Sequence, residues 1–503
     1  MAFLVICVSM TVGGVLPLLI RTGRGAAVVT LASLGFLLGS AYVLRTGLRA
    51  AGSHDGHRGV ASALGCGWIP IAWITLLFVA ELKFSGIRNP DSAAHGEASL
   101  QNAVELAVVT VIAFMVVVTR AGLGRPLSAT TPSVCLLLWT VLAGVSAAWS
   151  IVPLFTLVRA AEVATVIALG LLHARLWQNH PGVGTWIFQR TLRLALYAIL
   201  ALAIGGLIMA AQYQGRFVWP WMHPGLAGTY LGFGTLVVLL GGRQVTGLSR
   251  PATAAASAVL VGEMLATLTR SVVVATLLAL VCSIVADRNR RLATRTAFAA
   301  MLLPAGLLTS RLAGGEIVDY LHRGQTDQAL LSVSGRVPLW QFALEQLSGP
   351  RVFIGFGYGS ARVLLPERFT WAGNAHNAWV ELALSIGLIG VSVIAILYGS
   401  LLHRALGLQF YREHRLLPLV FGTLIYMLLV AGVSQAFTDP GMELTLLALM
   451  AVPLCRRWSA GRSQRVIRTQ EPIEQDPRMV EGFVSSPSVP ALGDKRASVG
   501  QDV

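Results

Sequence analysis

Apolar residues run along this chain in stretches of about 17 to 25, broken by short polar or basic punctuation and without sustained two-residue alternation. Each stretch can cross about 30 Å of hydrocarbon as a helix, because a helix rises about 1.5 Å per residue. The pattern predicts spans near residues 2–20, 26–44, 64–82, 102–119, 132–148, 155–172, 192–211, 225–241, 252–268, 271–286, 296–311, 377–401, 416–434 and 442–455, about 12 to 14 helices in all. The spans at 252–268 and 271–286 nearly abut at Arg270 and read as a tight hairpin or one broken helix. The first run begins at the initiator Met without a basic leader or a clear small-residue cleavage site, so it reads as a retained helix.

Composition agrees with the pattern. Of 503 residues, 55% are hydrophobic and 12% charged, with a mean hydropathy of +0.69, too little charge to cover a soluble globule. The lipid bilayer is then the solvent, and in hydrocarbon the backbone must bond internally. The expected fold class is therefore all-α, a polytopic integral membrane protein over residues 1–457. A net charge of +15 would suggest nucleic acid in a soluble protein, but here the basic residues fall in short loops between apolar runs, where they set topology. No nucleic-acid partner is expected. Cys7, Cys66, Cys135, Cys282 and Cys455 stand singly, without metal-ligand or disulfide spacing, and read as packing residues.

With the C-terminal tail taken as cytoplasmic, the inner loops gather Arg120, Arg125, Arg175, Arg190, Arg193, Arg243, Arg250, Arg404, Arg412 and Arg415 among others. The short outer loops hold only Arg21, Arg24, Lys83, Arg88, Arg216 and Arg270. The bias favours both termini inside, with Arg21 and Arg24 on the wrong side of the first hairpin. One long loop, 312–376, then lies on the outer face, rich in Gly, aromatics and mixed charge, and function concentrates in such loops. Residues 458–503 are polar, with Pro, Ser and Gln and few aromatics, and read as a disordered cytoplasmic tail.

Within the long loop, Pro338 suits a helix start, and Trp340, Leu344 and Leu347 follow at helical spacing, predicting a short interfacial helix over 338–347. Arg336 would stand just before its N-terminus, where backbone N–H groups and a guanidinium hold phosphate; snorkelling to headgroups is the alternative. Arg270, at the outer boundary between two apolar runs, has the same two readings. His376 lies where the loop enters the next span, fit either to take a proton from a hydroxyl or to cap a helix with Asn377. Gly355-Phe356-Gly357-Tyr358-Gly359 is a turn, since no strand–helix unit surrounds it to make a nucleotide fingerprint. Arg159 and Glu162, three apart in one span, read as a structural pair.

Several segments in order resemble the O-antigen ligase and polymerase family. They are Ser146-Ala147-Ala148-Trp149-Ser150 with Pro153 and Arg159, His223-Pro224, Thr269-Arg270-Ser271, and Ser334-Gly335-Arg336 with Trp340. Pro350 with Gly355–Gly359, Ala375-His376-Asn377 and Gly387-Leu388-Ile389-Gly390 complete the set, which spans about 146–390. No single motif is specific; the order is.

The resemblance implies a helical membrane glycosyltransferase of the inner (plasma) membrane, using no cofactor and no metal. It would transfer glycan from a polyprenyl-pyrophosphate-linked donor to a hydroxyl of a glycan or lipid-glycan acceptor on the outer face. By that analogy Arg270 and Arg336 bind the donor pyrophosphate, His376 is the base, and His223, Arg351 and Asn377 give support. The chain departs from the family pattern at Gly225, where Asn is usual, at Ser271, which follows rather than precedes the Arg, and at Ser385, where Glu is usual. Glu381, about a turn nearer His376, is the candidate for that missing carboxylate. The competing reading is a transporter of a small anion or lipid-linked sugar, because membrane Arg and His also line permeation paths.

Overall fold

The computed structural model describes residues 65–79, 100–120, 126–209, 212–213, 216–217, 219, 222–287, 315, 335–408, 416–434 and 441–455. The expected spans at 2–20, 26–44 and 296–311 lie outside the described residues, as does most of 312–334. The chain divides into two units, Met1–Arg456 and Arg457–Val503, and the second lies outside them too.

The described helices follow the apolar runs. They are α1 (Ile69–Val79), α2 (Leu100–Arg120), α3 (Thr131–Val145), α4 (Pro153–Asn179), α5 (Pro181–Met209), α6 (Pro224–Thr246), α7 (Arg250–Ala266) and α8 (Arg270–Ala286). After them come α9 (Arg336–Glu345), α10 (Arg351–Ile354), α11 (Ala361–Leu364), α12 (Ala378–Leu408), α13 (Leu417–Ala431) and α14 (Met442–Ala451). A two-stranded ribbon, β1 (Gln212–Tyr213) antiparallel to β2 (Arg216–Phe217), joins α5 to α6. Among the described residues, five helices are long and apolar enough to cross a membrane: α3 with its terminal 3₁₀ turn, α4, α5, α6 and α12. Outward-facing Val134, Leu137 and Val141 of α3, Leu154 of α4, Ile204 and Leu207 of α5, Leu239 of α6 and Ile396 of α12 give them the apolar exterior that lipid requires.

Local chemistry sets the helix ends. At α3, Thr130 and Ser133 form a reciprocal capping box, with Thr130 N donating to Ser133 Oγ at 2.9 Å. α6 closes on Gly247 at φ 71, whose N–H donates to Arg243 O at 2.8 Å. α6 occupies the centre of the described bundle, packing on α5, α7, α8 and α13.

α12 is broken near its start, at Ile386 and Gly387, the glycine having φ 62. The break orphans carbonyls that the following turn would otherwise bond. Phe356 N donates to Leu384 O at 2.7 Å and Gly357 N to Ser385 O at 2.9 Å, so the glycine-rich turn takes the place of the missing helical partners. A Cβ at Gly387 would lie 2.2 Å from the carbonyl carbon of Phe353, which fixes the residue type by approach as well as by φ.

Residues 335–376 are folded rather than loose. Leu339, Ala343, Ala361, Leu364, Leu365, Ala372 and Ala375 form a small core with Leu384 of α12. A helix forms over most of the segment predicted at 338–347, with an earlier start and a different fully buried face. It starts at Arg336 behind Gly335 at φ 83, and its buried stripe is Leu339 and Ala343, while Leu344 is 51% exposed. Phe342 and Leu347 pack against the same core, partly buried.

Candidate functional site

Two helices begin side by side at one end of the bundle. α6 starts behind His223, whose Nδ1 accepts from Gly225 N at 3.1 Å, so the neutral ring carries its proton on Nε2. α8 starts at Arg270, and Thr269 just before it donates from Oγ1 to Pro224 O at 3.4 Å. The three-residue link between α7 and α8 contains Leu268 at φ 51. Arg336 opens α9 and donates from Nη1 to Val433 O at 3.0 Å, just past the end of α13. α13 is tied to α6 in turn by Tyr426 Oη donating to Thr229 O at 2.8 Å.

His376 faces this group. Its φ of 48 makes it, with Leu268, one of two non-glycine residues in the left-handed region among those described. The conformation is held from several sides. His376 N donates to Asn374 Oδ1 at 2.8 Å. The preceding peptide is clamped, Ala375 N donating to Glu381 Oε2 at 2.6 Å and Ala375 O accepting from Trp340 Nε1 at 2.7 Å. Asn377 caps α12, its Oδ1 accepting from Trp379 N at 3.0 Å and Val380 N at 3.3 Å. The imidazole is pushed down to about 4 by burial, then by the Arg336 guanidinium and by His223. It is therefore neutral at physiological pH and able to accept a proton.

The sequence-predicted residues separate into groups. His376, Arg336 and His223 come together, Arg270 opens the helix beside His223, and Glu381 and Asn377 hold the His376 turn. Arg351 serves the scaffold: it donates to Trp149 O at 3.2 Å and Gly355 O at 3.0 Å and lies 5.0 Å over the Phe356 ring. The same seam takes in Trp149 Nε1 donating to Ile354 O at 3.0 Å and Tyr358 N donating to Ser146 Oγ at 3.0 Å. The motifs at 146–150 and 355–359 thus bolt the folded 335–376 segment to the link between α3 and α4. Gly357, at φ 102, meets Ser150 so closely that a Cβ would lie 2.3 Å from the serine's. Arg159 pairs with Glu162 at 2.9 Å as expected, and also with Glu105 of α2 at 3.2 Å, a partner no local spacing could indicate. Sequence reasoning also passed over Trp371, whose ring lies 6.0 Å from that of His376 at 20°.

An α-helical integral membrane protein with a cation-lined site at one end of its bundle is the class these features define. Residues 255–395 match the family described as O-antigen ligase. The matched segment contains Arg270, Arg336, Arg351, His376, Asn377 and Glu381; His223 lies before it. No curated protein matches the chain.

Proposed function

We propose that this chain is a glycosyltransferase of O-antigen ligase or polymerase type, moving glycan from a polyprenyl pyrophosphate donor to a hydroxyl acceptor on the outer face of the plasma membrane. The observation that carries the reading is His376, held neutral in a constrained turn and facing Arg336 and His223. The family match weighs toward transfer over permeation.

In this reading His376 takes the proton of the acceptor hydroxyl as its oxygen bonds to the anomeric carbon. The bond from that carbon to the pyrophosphate breaks with its electron pair, and the configuration inverts. Negative charge grows on the leaving oxygen, where Arg336 and Arg270, each at a helix start, stabilise it. The guanidinium groups supply the positive charge, so neither metal nor cofactor is needed. The donor also prepares the base: its phosphates neutralise Arg336, removing one of the causes that depress His376.

The test is transfer from a synthetic polyprenyl-pyrophosphate oligosaccharide by the purified protein with chelator present. Wild type is expected to transfer, and His376→Ala and Arg336→Ala to lose transfer by a factor on the order of 10² or more. Full activity in both variants overturns the site.

A further inference from the structure

We propose that the indole face of Trp371 is a stacking platform for a pyranose ring, the acceptor sugar whose hydroxyl is presented to His376. The inference deepens the transferase reading of the same site and rests on it.

Trp371 is 53% exposed, yet it is not on a loose loop. Ala372 and Ala375 beside it are fully buried in the small core, and Ala372 N donates to Phe369 O at 2.7 Å, closing the turn. Phe369 meets the indole edge-on, centroids 6.2 Å apart at 77°, and is itself backed by Phe342 at 5.8 Å. Arg368 lies 5.4 Å over Phe342. The backbone and two phenyl rings therefore fix a large aromatic face that the core does not cover.

Its position decides what that face receives. The indole is nearly parallel to the imidazole of His376, with ring centroids 6.0 Å apart. A hydroxyl that gives its proton to His376 must come within about 3 Å of the ring, so the sugar bearing it must lie against whatever wall stands beside the imidazole. Beside Arg336 and His223, Trp371 is the apolar wall there. A pyranose has a face of C–H bonds with partial positive charge and a rim of hydroxyls; an aromatic face is negative and apolar, and an indole gives large contact area with little loss of freedom. The His376 imidazole beside the indole gives the hydroxyls a polar edge to meet. An indole anchored in lipid headgroups is the competing occupant.

The experiment uses the full chain in lipid nanodiscs, as wild type, Trp371→Ala and Trp371→Phe. In the transfer assay, Trp371→Ala is expected to raise the acceptor KM on the order of 10-fold, and Trp371→Phe less, with donor KM and kcat little changed. A rise in donor KM alone overturns the acceptor assignment. A fall in kcat with both KM values unchanged overturns the platform, because Trp371 then acts only through His376. A second measurement stands apart from transfer: saturation-transfer NMR with maltotriose and methyl β-glucopyranoside as probes and sorbitol as control. Signal on the pyranose C–H protons that Trp371→Ala abolishes supports the platform even if no donor is turned over; no signal with wild type overturns it. If the fluorescence difference between wild type and Trp371→Phe is quenched by brominated lipids, the indole is a membrane anchor and the proposal fails.

Discussion

His376 occupies a backbone conformation that costs a β-carbon residue of order 1 kcal/mol or more, and surrounding hydrogen bonds hold it there. Its electrostatics give a pH prediction with a definite sign. Because the free imidazole is lowered to about 4, it stays a neutral base as pH falls until that value, so the acid limb of kcat/KM is expected near 4. Donor phosphate neutralises Arg336, and the acid limb of kcat is expected at higher pH, toward the ordinary histidine value of about 6.5. Two pH–rate profiles measure both limbs; coincident limbs at the ordinary value would remove the role of burial and Arg336. At this scale short motifs single out His376, Arg336 and His223, and the fold brings those three together. Trp371 was not legible in the sequence, because one exposed tryptophan carries no signal until the fold sets it beside the histidine.

At the scale of elements, the Glu381 carboxylate reaches back from the first turns of α12 to the N–H of Ala375, and Trp340 of α9 takes the other side of that residue. Glu381→Gln keeps an oxygen acceptor at that point and should retain most activity. Glu381→Leu should lower kcat at least about 10-fold in folded protein, because misplacement of a base by even an ångström is costly. Equal activity in the two variants would show that the clamp does not matter. Deeper in the bundle, Arg159 bridges Glu105 and Glu162, all three at most 8% exposed. Arg159→Met leaves two buried carboxylates without their cation and should cost about 3–5 kcal/mol, read as a large fall in melting temperature in detergent. Adding Glu105→Gln and Glu162→Gln should restore part of it. The helices were legible from apolar runs because hydrocarbon demands them. The break at Gly387, filled by the turn at 355–357, was not, since the motifs mark both partners without saying that they meet.

At the scale of the molecule, the structure says which residues share an end of the bundle, and the arginine bias is the ground on which the His376 end is proposed to lie outside. α6 runs without interruption from Pro224 to Gly241, about 27 Å at the rise of a helix, before a break at Gly242 (φ 62), so His223 precedes one end of that apolar segment and Gln244 lies just past the other. Arg193, assigned to an inner loop by sequence, donates to Val245 O and Gln244 O at 2.9 Å, which joins two inner-assigned ends. The His376 end is the one relieved of the inner arginines, and a polyprenyl-linked donor carried across the membrane would meet it there. With the native cysteines replaced by alanine, Gly373→Cys is expected to react with a membrane-impermeant maleimide added outside intact cells. Gln244→Cys is expected to react only after permeabilisation, both positions being exposed in the fold. The reverse pattern would turn the molecule over, put the imidazole and its arginines on the inner face, and force a donor that never leaves the cytoplasmic leaflet. Labelling of both from outside would instead deny that α6 spans the membrane, and with it the separation of the site from the arginine-rich end.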